Sequence, residues 1–192
     1  MSAELGVPAL AGAVVLGAED PADLLVPTWD YARRPLSDAF ENLDEVLVPL
    51  LREAGPDADL DTTVYYSDRK DLSEADEADL LGHNDRAYAA ARSLGGLIIY
   101  FQGPLLVASA RGARYPELDI DVDTPNCMSF CIWDRREQAR AGSEVAEHRA
   151  AVRGAPRWFS KFDIVKFQAR LETVGGDEPV ETVRFEPSSR VL

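Results

Sequence analysis

Histidine and cysteine are scarce in this chain: His83, His148, Cys127 and Cys131 are the only ones. His148 lies in Ser143-Glu-Val-Ala-Glu-His148-Arg149, on a helical stretch. A neutral imidazole accepts a proton near pH 7, which makes His148 the first candidate for catalysis. The competing reading is a surface helix histidine among Glu144, Glu147 and Arg149. Trp133 closes an apolar run, where an indole could line a cavity or meet a flat ligand, or pack between helix and sheet. Tyr65, Tyr66, Tyr100 and Phe101 stand in pairs on β-type segments, so each pair sends one ring to each sheet face. Tyr65 and Tyr100 are the substrate-binding candidates. Asn126, after Pro125, could orient a carbonyl or dioxygen, or serve a turn. Arg111, Arg114 and the Arg135–Arg136 pair offer cations for an anionic substrate, or partners for nearby carboxylates.

Other chemistry is excluded or weak. Asp119, Asp121 and Asp123 alternate along one side of an extended run, as a hard-cation site would need. The glycine of a calcium loop is missing, and a solvated edge strand explains them as well. Cys127 and Cys131 are four apart on a strand, on one side but roughly 13 Å from each other. No disulfide joins them, and they read as small buried residues. The sequence carries no phosphate loop, dinucleotide fingerprint, zinc motif or nucleophile elbow.

With 192 residues and 46% hydrophobic content the chain can build a real core. Its formal net charge of −14 sets it against phosphate backbones, so nucleic acid is not an expected partner. The apolar stretch Pro8–Gly17 is short and lacks a basic start, so a cytoplasmic protein with no membrane segment is expected.

The elements that must position these residues can be read in order. Ser37 looks like an N-cap, and helical spacing runs from Phe40 to Leu51, with Pro49 inside it and Gly55-Pro56 at its end. Residues 61–66 are β-branched and aromatic, a strand. Ser73 opens a helix that ends at Gly95-Gly96. Leu97–Phe101 is a strand, interrupted at Gly103-Pro104 and resumed over 105–109. Cys127–Trp133 is a strand, 137–153 is helical with a weak point at Gly142, and Trp158–Leu171 is the last long strand. Residues 173–192 form a tail with a short strand at Val180–Phe185. The order over 60–172 is βαββαβ, a ferredoxin-like α+β sheet, preceded by an extension over 1–59.

Four strands with two helices on one face leave the other face bare, and Phe130, Ile132, Ile164 and Phe167 cannot all lie under the helices. A second copy closing a barrel, and hence a homodimer, is the expected cover. Residues 1–59 are the alternative cover within one chain.

The motifs Gly95-Gly-Leu97, Phe130-Cys-Ile-Trp-Asp134 and Ser143-Glu-Val-Ala-Glu-His148-Arg149 resemble those of the dimeric α/β-barrel superfamily, in particular antibiotic-biosynthesis-monooxygenase-like domains. The order Gly95-Gly96, Ser109-Ala-Arg-Gly112, Trp133, Trp158 is also similar to spheroidene-monooxygenase-like proteins. The resemblance spans about 60–171 and implies a small-molecule ligand in a barrel cavity. It implies a monooxygenase on an aromatic or polyene-like substrate that needs no cofactor, with His148 moving a proton and Trp133 and a tyrosine positioning the substrate. The heme-degrading branch implies instead that His148 ligates iron; that pattern also needs an aromatic residue on the helix before the histidine, where the nearby positions of this chain are Arg140, Ala141 and Gly142. A ligand-binding or assembly barrel without catalysis is the third reading, since fold does not fix function.

Overall fold

A computed structural model of the chain describes residues 20–55, 60–103, 105, 114–115, 120–121, 126–175 and 179–191. Arg111, Asp119, Asp123 and the resumed strand over 106–109 lie outside the described residues. Helix α1 spans Leu43–Ala54, strand β1 Asp61–Arg69, helix α2 Glu74–Ser93 and strand β2 Leu97–Gln102. Two short strands, β3 (Arg114–Tyr115) and β4 (Ile120–Asp121), pair only with each other. Then come β5 (Cys127–Trp133), α3 (Arg136–Glu144), α4 (Ala146–Trp158), β6 (Phe159–Val174) and β7 (Val180–Val191).

The main sheet is antiparallel and open, in the order β2-β5-β1-β6-β7. Its first four members have the ferredoxin-like arrangement, so the fold is α+β and ferredoxin-like. Strand β7 extends the sheet beyond β6. It is longer than the segment expected at 180–185, because the ladder passes Pro187 through a register shift opposite Lys166 and Phe167. An edge strand tolerates a proline and a bulge.

Side chains alternate across the sheet, and its two faces differ in chemistry. One face presents Val64 and Tyr66 of β1, Phe130 and Ile132 of β5, Phe101 of β2 and Val165 and Phe167 of β6, all buried. Residues 20–54 cover this face, through Tyr31, Leu36, Phe40, Leu43, Leu47 and Leu51. Phe40 packs edge-on against Phe101 at 4.8 Å and against Phe130 at 5.7 Å, arrangements that aromatic quadrupoles favour. Tyr31 lies so close to Gly103 that any side chain there would collide with its ring. The face expected to meet a second copy is therefore filled by the chain itself, the alternative cover.

This segment is irregular, which explains the misplaced helix start. Short 3₁₀ turns occupy Pro21–Leu24, Tyr31–Arg33 and Leu36–Asp38, and α1 begins only at Leu43. Asn42 spends its side chain across the segment: Val26 N–H donates to its oxygen at 2.8 Å, and its amide donates to the Leu24 carbonyl at 2.8 Å. A bridge between Pro27 and Phe40 holds the same junction. Helix α1 continues past Pro49 to Ala54.

Helices α2, α3 and α4 lie on the other face. The break expected at Gly142 falls at Val145, which is extended (φ −63°, ψ 149°). Gly142 instead lets α3 approach the sheet, since a Cβ there would sit 2.7 Å from the Trp133 ring. Trp158 closes α4 rather than opening β6. None of the described helices is long and apolar enough to cross a membrane.

Candidate functional site

The sheet face beneath the helices is polar where a core would be apolar. The ladder register fixes its rows. Gln102, Ser129, Tyr65 and Ile164 lie side by side across β2, β5, β1 and β6, and Tyr100, Cys131, Thr63 and Lys166 form the next row. Trp133 and Asp61 end this face on one side, Cys127 and Ser67 on the other. Hydroxyls, thiols, an amide and the charged Lys166 and Asp61 thus share the floor with Ile164 and the Trp133 ring.

The helix layer packs loosely over that floor. Of the twenty residues of α2 only Leu80 is buried, and α4 buries only Gly154 and Trp158. Tyr65, Ser129 and Tyr100 keep partial exposure although β1 and β5 are interior strands. These three side chains are the partly exposed polar members of the face, whereas Thr63, Ser67, Cys127 and Cys131 beside them are buried. The face on which a barrel cavity was expected is filled by residues 20–54.

Tyr100 donates a hydrogen bond to the Asn84 side-chain oxygen, and the Asn84 amide donates to Gln102 at 2.6 Å. Tyr88 stacks on Tyr100 with centroids 5.2 Å apart and donates to Asp20, tying α2 to the start of the N-terminal segment. Tyr65 packs against Phe162 at 5.8 Å. Burial, with the Cys131 thiol beside them, drives the Tyr65 and Tyr100 phenols well above the usual tyrosine range. They are hydrogen-bond donors and not bases. Burial likewise raises both thiols, which leaves Cys127 and Cys131 as neutral, weak nucleophiles.

His148 lies on the inward stripe of α4 with Ala151, Gly154, Ala155 and Trp158, while Glu147, Arg149, Val152 and Arg153 are exposed. Burial lowers its pKa, and the Ser143 carbonyl offsets this only in part. The imidazole is neutral at neutral pH, the form a base requires. Its Nδ1 is buried without a side-chain partner.

The structure brings Tyr65 and Tyr100 to the same sheet face, while the inward stripe of α4 that carries His148 packs chiefly against α2. Trp133, 5% exposed, packs its ring under Gly142 at one end of this face. Asn126 is engaged on both atoms: Arg69 N–H donates to its oxygen at 2.8 Å and its amide donates to the Arg69 carbonyl at 2.9 Å. It clamps the end of β1 through one N–H and the oxygen of its amide, which is the turn reading. Among the described residues no group of three carboxylates, histidines or cysteines could hold a metal ion.

Sequence reasoning did not single out Ser129, Asn84, Tyr88 or Arg69. Ser129 carried a signal: it is the polar member in the middle of Cys127–Trp133, a strand central to the sheet. Asn84, Tyr88 and Arg69 acquire meaning only when α2 is laid over β1 and β2.

No family model matches the chain, and no curated protein matches it. Several solved structures are similar in fold. One is a dimeric protein of unknown function and ferredoxin-like fold from Bacteroides fragilis, at 12% identity over 57% of this chain and 95% of that one, TM-score 0.40. A dimeric ferredoxin-like protein from Thermobifida fusca shows 17% identity over 58% of this chain and 92% of its own, TM-score 0.42. SnoaB, a cofactor-independent oxygenase from Streptomyces nogalater, shows 13% identity over 62% of this chain and all of its own, TM-score 0.41.

Proposed function

We propose that the chain is a small-molecule enzyme that binds an aromatic substrate between its helices and its sheet, as a cofactor-light monooxygenase of the dimeric α/β-barrel kind. The observation that carries the reading is the polar floor under the helix layer, where Tyr65, Ser129 and Tyr100 keep partial exposure. A polar group buried without a partner is costly. Three polar atoms of the helix side, Arg69 Nε, His148 Nδ1 and Trp158 Nε1, are buried without partners, and such groups call for water or ligand.

The residues support one division of labour. Neutral His148 takes the proton of a phenol or enol substrate. Tyr65, held protonated, turns its O–H from the Cys131 thiol to the oxyanion that results, while Tyr100, whose O–H is given to Asn84, packs beside it. The electron-rich anion is the reductant for dioxygen: one oxygen atom enters the ring and the other leaves as water, with a phenol going to a quinone. Trp133 holds α3 against the end of the cleft. Oxygen uptake with a panel of polycyclic phenols tests this. Uptake in the wild type, reduced at least tenfold by His148→Gln, supports it; uptake unchanged in His148→Gln removes His148 from the chemistry.

Heme binding is the second reading, favoured by the inward placement and neutral state of His148. His83 is occupied by Asp79 at 3.6 Å and by the Trp158 ring at 5.3 Å, so His148 would be the sole imidazole ligand. A Soret shift on adding hemin, lost in His148→Ala, is the result that would select it over the oxygenase.

A further inference from the structure

We infer that Arg69 is the anion anchor of the helix–sheet cleft, so that the cleft takes an aromatic carboxylate. The inference rests on the reading of the cleft as a ligand site and adds the charge and class of the ligand.

Arg69 is the last residue of β1, past Tyr65 and Ser67 at the end of the cleft opposite Trp133. Its side chain is only 14% exposed, and its Nη2 meets Glu77 on the first turn of α2 at 2.6 Å. The guanidinium thus bridges sheet and helix layer. It lies close enough to Cys127 to oppose the effect of burial on that thiol. Its Nε is buried with no partner. Arginine stays charged in any protein setting and offers a planar fork suited to a carboxylate. An unpaired N–H on a buried cation is costly, and Glu77, half exposed, compensates it weakly from the solvent side.

The surroundings narrow the choice further. The neighbouring cations at this end are engaged: Arg157 with Asp79 at 2.8 Å, Lys70 with the Pro156 carbonyl at 2.6 Å. Arg69 therefore has the spare donor. Its backbone is fixed by the two Asn126 hydrogen bonds, so the fork starts from a rigid point. Beside it the rings of Phe159, Phe162 and Tyr65 form a continuous wall, with centroids 5.3 and 5.8 Å apart. Phe162 is 39% exposed, an aromatic face open to a ring. A cation at the end of an aromatic wall fits a ring that carries a carboxylate.

Calorimetric titration with 2-naphthoate and with its uncharged counterpart 2-naphthamide tests the assignment. The wild type is expected to bind the acid at least tenfold more tightly than the amide. Arg69→Gln should lower the acid to the level of the amide and leave amide binding unchanged, which also reports that the variant is folded. Glu77→Gln, which frees the guanidinium, should raise affinity for the acid alone. Equal binding of acid and amide by the wild type, or an acid preference kept in Arg69→Gln, overturns the anchor and leaves the cleft intact. No binding of either probe by the wild type overturns both the anchor and the cleft.

Discussion

His148 carries the most consequence per residue. Burial penalises its charged form, so its folded pKa lies below that of the unfolded chain. Between those two values the unfolded chain binds more protons, and stability rises with pH. The contribution is complete above about pH 6.5 and is lost as pH falls through the lowered value. Urea unfolding at about pH 7.5 and about pH 5 should show this slope in the wild type and a smaller one in His148→Gln. The same shift places the acid limb of any His148-dependent activity below the ordinary histidine range. Asn126 makes a different prediction. Its amide closes a two-bond ring with Arg69, so Asn126→Ala should cost about 1–3 kcal/mol in urea unfolding, with Asn126→Asp intermediate because it keeps the acceptor alone. No loss in Asn126→Ala would contradict the clamp. At this scale the sequence was partly legible. It offered Tyr65 with Tyr66 and Tyr100 with Phe101, but only the register decides that Tyr65 and Tyr100 share the helix face while Tyr66 and Phe101 enter the core.

Among the elements, β1, α2, β2 and β5 follow from residue type and punctuation, since β-branched runs and capping residues act locally. Two elements do not. Strand β7 contains Pro187 and two serines and pairs only because β6 offers a long edge with a bulge. The 3₁₀ turns of 20–38 have no periodicity and owe their shape to the apolar face they cover. Gly142 was legible as a weak point in a helix, but its role is tertiary: it makes room for Trp133. Gly142→Ala should therefore destabilise the protein by about 1–3 kcal/mol through overpacking, although alanine is the better helix former. A thermal or urea midpoint that rises on this substitution would mean that α3 does not rest on Trp133.

For the whole molecule, the alternation of apolar residues foretold that one sheet face needs a cover. It could not say whether a second copy or the chain's own extension provides it, because both bury the same side chains. Here residues 20–54 do so, with Tyr31, Leu36, Leu47 and Leu51 each at or below 1% exposure. Removing residues 1–54 should expose Phe130, Val165 and Phe167 and drive the remainder into higher-order association. Light scattering of that variant against the full chain of 21.1 kDa checks this, and a truncated chain that stays discrete and folded would contradict it. With that face filled, the proposed ligand site lies on the other face, and that placement is the central claim. Its most direct test is a high-resolution crystal structure of the full chain soaked with 2-naphthoate. The account predicts ordered ligand between α2, α4 and the sheet, in contact with Tyr65 and Tyr100; a helix–sheet layer filled only by protein side chains, or ligand lodged beneath residues 20–54, would contradict it.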